Sequence, residues 1–370
     1  MKFKAIIVVL ITITTLTMIN SCNVEEIKNE EVLFVGTYTD NGSEGIYRFN
    51  LNLETGHLGN KLVAASLKNP SYLAFSPDRK SLYAVGEVDD FKKDQGSITT
   101  FMVKDTALVK VDVQSTYGAN PCFVNVSENG NLVAVANYTG GNVAVYNRLE
   151  EGNLKLPVQI LDHKVLDTNK TAHAHMSSFL NNELFVADLG LDRIKRYNDV
   201  NGSFVASEQK ELVVEEGAGP RHFVSSSNGK FLYAINELNS TITLFQKDGN
   251  NNFYGVETYD TLASDFEGDS YCADIHLSPD GKFLYGTNRG ENTVVIFEVN
   301  QATGKLELVG RESVKGDWPR NFTIDPSGKY VLVANQRSNN IVVFNRDAAN
   351  GTLSFISQVD LPSPVCLKFY

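Results

Sequence analysis

From about residue 33 to residue 370 the chain is a succession of short segments in which apolar and polar residues alternate. Turns rich in Gly, Asp, Asn and Pro separate these segments, and two of the turns read Ser-Pro-Asp-Gly and Asp-Pro-Ser-Gly. Alternation with a period of two predicts β-strands, and such turn sequences are typical of hairpins. The pattern therefore predicts an all-β protein.

One phrase recurs along the chain: an opening residue, usually Pro, then an apolar segment, a turn, a second apolar segment and Asn. The opening residues are at positions 70, 121, 172, 220, 272 and 319, so successive repeats lie 47 to 52 residues apart. A third segment ends on an aromatic residue, and seven such markers occur: Phe49, Phe101, Tyr146, Tyr197, Phe245, Phe297 and Phe344. A fourth, weaker segment follows several of them. Four strands per repeat of this length predict a blade of a β-propeller, and seven markers predict seven blades.

The two ends of the repeat array complement each other. Phe49 has no Pro-led strand before it, whereas Pro364 lies 45 residues beyond Pro319 and heads the apolar segment 365–369. We predict that this C-terminal segment is the inner strand of the first blade, which pairs the ends of the ring and leaves no open edge. The predicted fold is a seven-bladed β-propeller with four antiparallel strands per blade, one domain spanning residues 32–370.

The first 22 residues have the layout of a secretory signal, with two early lysines followed by the apolar run Ala5–Ile19. This run is shorter than the roughly 20 residues that a helix needs to cross a bilayer. Ile19-Asn20-Ser21-Cys22 resembles a bacterial lipobox, which predicts lipidation of Cys22 and a lipid-anchored protein in the cell envelope. The alternative is an ordinary cleaved signal with an incidental cysteine. Residues 23–31, polar and acidic, are predicted to be a tether.

Composition narrows the classes of partner. The 44 acidic side chains exceed the 33 basic ones, and the formal net charge of −11 argues against nucleic-acid binding. A content of 42% hydrophobic and 21% charged residues is typical of a globular protein and not of a disordered or multispan chain. Cys122, Cys272 and Cys366 are far apart and lack CxxC spacing, so we expect buried thiols and no disulfide framework.

Candidate chemistry lies at two positions of each repeat. With the opening residue as position 0, positions +1 and +17 flank the two inner strands of a blade and should meet at one mouth of the central channel. Charged residues occur there in four successive blades: His173, Arg221, Glu237, Arg289 and Arg320. Guanidinium groups bind carboxylate or phosphate, and His and Glu can transfer protons. The pattern predicts a site for an anionic small molecule.

Three further residues are candidates for substrate binding: Glu87, His175 and Trp318. His175, at +3, could equally be a core histidine, and Trp318 could simply pack. Arg221 and Arg320 could instead form ion pairs between blades. For the other two histidines near the channel, His222 and His276, we predict structural positions.

Several reaction signatures are absent from the sequence. It contains no GxSxG nucleophile elbow, no HExxH zinc helix and no P-loop, and no dinucleotide-binding βαβ unit is evident. We therefore expect no cofactor and no metal ligand set, although a channel can assemble one from distant residues.

Five motifs carry a family resemblance: Phe34-Val35-Gly36-Thr37-Tyr38, Ala172-His173-Ala174-His175, Gly219-Pro220-Arg221-His222, Asn236-Glu237 and Asn288-Arg289-Gly290. With them, the chain from Leu33 to Tyr370 resembles the bacterial seven-bladed propeller lactonases typified by 6-phosphogluconolactonase. That fold family includes fungal carboxymuconate lactonizing enzymes. Their His, Arg, Glu, Arg set implies a corresponding set here: His173 or His175, Arg221, Glu237 and Arg289.

The resemblance implies hydrolysis of a sugar-acid lactone, in which an arginine stabilises the oxyanion and His173, His175 or Glu237 acts as base. The export signal departs from a cytoplasmic pathway, so the substrate is expected to be another aldonolactone or acidic sugar lactone. Two alternatives stay open: a non-catalytic envelope propeller that binds a protein or glycan, and a muconate-type lactone cyclase. The choice of base and the oligomeric state are left open by the sequence.

Overall fold

The computed structural model describes residues 29–370, which form seven four-stranded antiparallel sheets arranged as the blades of a propeller. The predicted signal segment and Cys22 lie outside these residues. Within 29–370, no helix has the length and hydropathy needed to cross a membrane. The predicted fold class is confirmed.

In chain order the strands are β1 (Glu30–Thr37), β2 (Gly45–Asn52), β3 (Leu58–Ser66), β4 (Leu73–Phe75), β5 (Ser81–Gly86), β6 (Ser97–Lys104), β7 (Ala107–Ser115), β8 (Pro121–Val126), β9 (Leu132–Asn137), β10 (Asn142–Arg148), β11 (Leu154–Asp162), β12 (Ala174–Leu180), β13 (Glu183–Asp188), β14 (Arg193–Val200), β15 (Ser203–Val213), β16 (Pro220–Ser225), β17 (Phe231–Asn236), β18 (Thr241–Lys247), β19 (Phe253–Asp260), β20 (Tyr271–Leu277), β21 (Phe283–Arg289), β22 (Thr293–Val299), β23 (Leu306–Ser313), β24 (Pro319–Ile324), β25 (Tyr330–Asn335), β26 (Asn340–Arg346), β27 (Leu353–Asp360) and β28 (Pro364–Phe369). Blade one contains β28, β1, β2 and β3, and each later group of four consecutive strands forms the next blade.

The ring closes as the sequence predicts. β28 pairs antiparallel with β1, and Leu33 lies opposite Phe369. β1 begins at Glu30, so the last two residues of the segment predicted as a tether belong to the first blade. The seven aromatic markers are all buried and lie on the third strand of their blades, and the three remaining cysteines are buried free thiols. Both predictions, the third strand for the markers and burial for the thiols, are confirmed.

Neighbouring blades are joined by hydrogen bonds that we call tyrosine latches: the hydroxyls of Tyr83, Tyr233 and Tyr285 donate to a turn glycine of the next blade. The three distances, to the carbonyls of Gly152, Gly304 and Gly351, are 2.6, 2.8 and 2.8 Å. At Gly304 a side chain is excluded, because its φ is 73° and a Cβ would lie 2.5 Å from the Phe231 ring. The latches therefore depend on a tyrosine in one blade and a glycine in the next.

The inner hairpin of blade four differs from the others. Pro220 pairs with Asn236 in blade five, sixteen residues later, but in blade four Ala174 pairs with Asp188, only fourteen residues later. The cause is a two-residue turn, Asn181-Asn182, in which both residues have positive φ, 50° and 66°, as in the tight turns that join paired strands. The repeat spacing predicts Ala172 as the opening residue of blade four, and this is wrong by two residues: Ala174 occupies position 0.

Candidate active site

A β-bulge presents the position +1 side chain in several blades. In the innermost strands, pairing skips one residue after position 0, and the skipped residues are Cys122, His175, Arg221 and Arg320. A bulge re-aims a side chain away from the ladder. Blade four thus presents His175 at +1. The repeat spacing predicts His173 at this position, but His173 lies two residues earlier.

Position +17 lies at the same end of each blade. The amide of Glu237 donates to the Gly219 carbonyl at 2.7 Å, and the amide of Glu87 donates to the Asn69 carbonyl at 2.9 Å. Both bonds tie the end of the second strand to the residue just before the first. Positions +1 and +17 therefore share one mouth of the channel, as predicted.

Glu237 joins two of the predicted arginines. Its Oε2 lies 2.9 Å from Arg221 Nε and 3.0 Å from Arg289 Nη2, and both guanidinium groups are buried. Burial raises the pKa of Glu237, but the charges of Arg289, Arg221 and Arg320 outweigh burial and hold the pKa below its usual value. Glu237 is a carboxylate at neutral pH, and its charge is shared by two cations.

Backbone carbonyl groups of β20 accept hydrogen bonds from these two arginines. Arg221 Nη1 donates to the Ala273 carbonyl. Arg289 donates to the carbonyls of Tyr271 and Cys272, at 3.2 and 3.0 Å. Both guanidinium groups are therefore fixed in orientation, while Arg221 Nη2 and Arg289 Nη1 make no hydrogen bond within residues 29–370.

Arg320, in blade seven, is held more loosely. Its Nη2 lies 3.8 Å from Glu87 Oε2, and the guanidinium carbon lies 5.3 Å from the centre of the Tyr38 ring. The Tyr38 hydroxyl lies 3.0 Å from both oxygens of Glu87. The guanidinium group of Arg320 makes no hydrogen bond to any of residues 29–370, so its N–H donors are free to bind a ligand at the mouth.

Sequence reasoning missed Tyr38 as a site residue. It is the position +17 residue of blade one, and its amide donates to the Ser363 carbonyl at 3.0 Å, across the junction of the two chain ends. Spacing from the marker Phe49 does not reveal it, because the connection between β1 and β2 is three residues longer than the one between β17 and β18.

His173 is half-buried and has a defined tautomer. Its ring stacks on Tyr138 with centroids 4.4 Å apart and an interplanar angle of 12°. Its Nδ1 lies 3.1 Å from the Tyr138 carbonyl oxygen, which can only accept, so Nδ1 carries the proton. The backbone N–H is fixed by Asp188 Oδ1 at 2.8 Å. In the neutral ring, Nε2 of His173 consequently has the lone pair.

His175 is buried beside this stack, edge-on to Tyr138 with 5.7 Å between centroids. Burial, followed by the charges of Arg221 and its neighbours, lowers the pKa of His175 well below its usual value, so the ring is neutral. The alternative of a fully satisfied core histidine does not hold, since its Nδ1 has no hydrogen-bond partner in the described part of the chain.

Trp318 packs against the arginines of the mouth. Its ring centre lies 5.2 Å from the guanidinium carbon of Arg289 and 3.3 Å from that of the exposed Arg337. Its φ is 66°, a left-handed conformation shared by the equivalent Asn69 and Asn120, with φ of 47° and 52°. Trp318 supports Arg289, and its predicted contact with substrate stays a prediction.

Buried polar atoms without partners collect at this mouth. Ser71 Oγ and His175 Nδ1, both at position +1, and Gln336 Oε1, at +17, have no hydrogen bond within residues 29–370. Such atoms each cost about 1 to 3 kcal/mol when they stay unpaired. The mouth is therefore suited to a ligand with several polar groups. No three His, Cys, Asp or Glu side chains of the described residues are arranged to hold a metal ion.

Comparison with known proteins agrees with this architecture. Residues 32–369 match the family model "Lactonase, 7-bladed beta-propeller". The chain belongs to this lactonase family. Its relatives include the 6-phosphogluconolactonase of Bacillus subtilis, 34% identical over 91% of this chain and 97% of the relative. Another is the 6-phosphogluconolactonase of Formosa agariphila, 38% identical over 79% of this chain and 86% of the relative.

Among solved structures, the periplasmic gluconolactonase of Pseudomonas aeruginosa superposes with a TM-score of 0.86. It is 32% identical, over 92% of this chain and 99% of that one. As a lactonase, the chain is an enzyme, a carboxylic ester hydrolase. The family predicted from the motifs is confirmed, whereas the part that each residue of this lactonase takes in the reaction stays a prediction.

Proposed function

We propose that this mouth hydrolyses the ring ester of a sugar-acid lactone. The observation that carries the proposal is that a fixed, half-buried imidazole, His173, and a loosely held arginine, Arg320, lie at the same end of their blades, where positions +1 and +17 meet. The names of the relatives, two 6-phosphogluconolactonases and a gluconolactonase, support a sugar lactone as the substrate class.

His173 is the proposed general base. Its Nε2 lone pair accepts a proton from water while the water oxygen bonds to the ring carbonyl carbon. When the tetrahedral intermediate collapses, the bond from that carbon to the ring oxygen breaks, and the imidazolium returns the proton to the ring oxygen. The product is the open-chain sugar acid, and His173 is neutral again.

Arginine is the proposed stabiliser of the oxyanion. Arg320 has unused donors, and Arg221 is held rigidly beside Glu237, so both can face the negative charge that develops on the carbonyl oxygen. Glu237 is the weaker choice of base, because two cations bind it and its pKa is lowered. We assign it to holding Arg221 and Arg289 in place.

The charge balance favours an unphosphorylated lactone. Three arginines and two glutamates leave one net positive charge at the mouth, and His175 is neutral. A phosphate group carries up to two negative charges, more than this single positive charge balances. An aldonolactone whose hydroxyl groups meet Ser71, His175 and Gln336 fits this balance better.

The test measures acid release from glucono-1,5-lactone and its 6-phosphate by the purified protein, above the buffer rate. We expect turnover of the unphosphorylated lactone and a 10²- to 10⁴-fold loss of kcat in His173→Ala. His57→Ala, at an exposed turn of blade one, is the matched control and should be unaffected. Binding without turnover would overturn the hydrolase proposal, and a preference for the phosphorylated lactone would overturn the substrate class.

We further propose export and lipid anchoring through Cys22, on the basis of the signal and lipobox sequence. Metabolic labelling with a fatty acid, followed by membrane fractionation, tests this. We expect label and membrane association in the wild type and neither in Cys22→Ser. Equal membrane association of both proteins would contradict the anchor.

A further inference from the structure

A polar network runs from blade to blade along the channel wall, one residue further along the innermost strands than position +1. His222, Asp274 and Asn321 occupy position +2 of blades five, six and seven, and all three are buried. His222 Nδ1 lies 2.8 Å from Asp274 Oδ1, and Asn321 Nδ2 donates to Asp274 Oδ2. The side-chain oxygen Oδ1 of Asn321 accepts a hydrogen bond from the backbone amide of Leu367, in blade one, at 2.7 Å. The network therefore links four consecutive blades.

Asp274 is a buried charge that the proposed reaction does not use. In β20, both Ala273 and Asp274 leave the ladder, and the Asp274 amide donates to Thr287 Oγ1 at 3.1 Å. Burial raises the pKa of Asp274, but contacts with His276 and His222 outweigh burial and hold it well below its usual value. Burying a carboxylate lowers the stability of the fold unless hydrogen-bond donors are well placed around it. The donors around Asp274 should therefore be held in defined orientations.

The bond to Asp274 fixes the tautomer of His222. A carboxylate only accepts, so Nδ1 of His222 carries the proton and Nε2 has a lone pair. That Nε2 lies 3.4 Å from Arg221 Nη1. The rings of Tyr72 and Phe123 stand edge-on to the imidazole, with centroids 6.2 and 5.3 Å away, and limit its rotation. Burial, then the charge of Arg221, lowers the pKa of His222 to about 4, so the ring does not repel the guanidinium at neutral pH.

We propose that His222, held in this tautomer by Asp274, is a positioning residue for Arg221. Its Nε2 accepts from one side of the guanidinium while Glu237 binds another side. Because the contact is long and involves no substrate, we expect an effect through orientation alone. The inference rests on the proposed part of Arg221 in the reaction.

The first test compares His222→Asn with His276→Gln. In His222→Asn the side-chain amide can replace Nδ1 as donor to Asp274, but the acceptor that Nε2 offers to Arg221 Nη1 is lost. His276 binds the other oxygen of Asp274, at 3.1 Å, and has a partly exposed side chain and no contact with Arg221. We expect a 10- to 100-fold loss of kcat with KM within twofold for His222→Asn, and a change below twofold for His276→Gln. Equal losses in the two variants would overturn the proposal.

A double-mutant cycle separates positioning from general destabilisation. If His222 acts through Arg221, then adding His222→Asn to Arg221→Ala should lower kcat/KM no further. A merely structural residue would give additive losses, and additivity would contradict the proposal. Thermal unfolding of each variant establishes that the folded protein is compared.

A third readout does not depend on turnover. The NMR signal of Arg221 Nε–Hε, assigned with Arg221→Lys, should shift in His222→Asn and stay in place in His276→Gln. If the wild type hydrolyses no lactone, the proposed function fails. The NMR signal still shows whether His222 orients the guanidinium group of Arg221. An unchanged Arg221 signal in His222→Asn would overturn it.

Discussion

The tyrosine latches and the channel mouth are built from the same strands and follow opposite rules. Tyr83, Tyr233 and Tyr285 stand at the same position, +13, of three repeats and make the same hydrogen bond to the next blade. The mouth positions +1 and +17 hold a different residue in nearly every blade. Positions that repeat join the blades, and positions that depart from the repeat carry the chemistry.

Blade five contains both kinds of position within one hairpin. Tyr233 points between blades, while Arg221 and Glu237 face the channel at the end of the same two strands. Since the two sets share no direct contact, changes at one should act on stability and changes at the other on activity. Four substitutions or conditions test this separation.

Of these four tests, Arg221→Ala should have the largest effect on activity. Removing a charged donor from the oxyanion site typically costs 10² to 10³ in kcat, or about 3 to 4 kcal/mol of transition-state stabilisation. Glu237 keeps Arg289 as a partner, so the protein should still fold. Steady-state kinetics and urea unfolding measure the two effects. A loss of activity below tenfold would make Arg221 a structural partner of Glu237 within blade five and not part of the reaction.

Acid should destabilise the protein through the channel, by about 3 kcal/mol from His222 alone. Its pKa is about 4 when folded and about 6.5 when unfolded, so the unfolded chain takes up a proton first as the pH falls. This stability is fully present above pH 6.5 and is lost as the pH approaches 4. His175, whose pKa is also lowered, acts in the same direction.

Urea unfolding at pH 7, 5.5 and 4.5 measures this loss. His222→Asn should lose less stability on acidification than the wild type, whereas the latch variant Tyr233→Phe should lose as much. A pH dependence that is unchanged in His222→Asn would show that acid acts elsewhere in the protein.

Tyr233→Phe should lower stability and spare activity. It removes the hydroxyl that donates to the Gly304 carbonyl at 2.8 Å and leaves a buried acceptor, which costs about 1 to 2 kcal/mol. The midpoint of urea unfolding should fall while kcat and KM stay within twofold. A matching loss of activity would mean that the latches and the mouth are coupled.

The same contrast explains what could be predicted from the sequence. The repeat fixed the blade count, the closure by Pro364 and the mouth positions of Arg221, Glu237 and Arg289, because these follow from spacing alone. The register of blade four was missed, since the turn Asn181-Asn182 shortens its hairpin by two residues. The place of Asp274 in the network was not predictable from the sequence, because its partners are side chains of blades five and seven that come close to it only in the folded protein.

Trp318→Asn should have the smallest effect of the four. It tests whether a residue beside the mouth acts on activity or on stability. Its left-handed backbone, φ 66°, costs a bulky residue about 1 kcal/mol, whereas Asn69 and Asn120 adopt the same conformation with less strain. Relief of this strain offsets part of the lost packing against Arg289 and Arg337, so stability should change by less than about 1 kcal/mol. Arg289 loses its supporting ring, and kcat/KM should fall about fivefold, or about 1 kcal/mol. A stability loss of several kcal/mol with unchanged kinetics would make Trp318 a packing residue of the ring, despite its place beside the mouth.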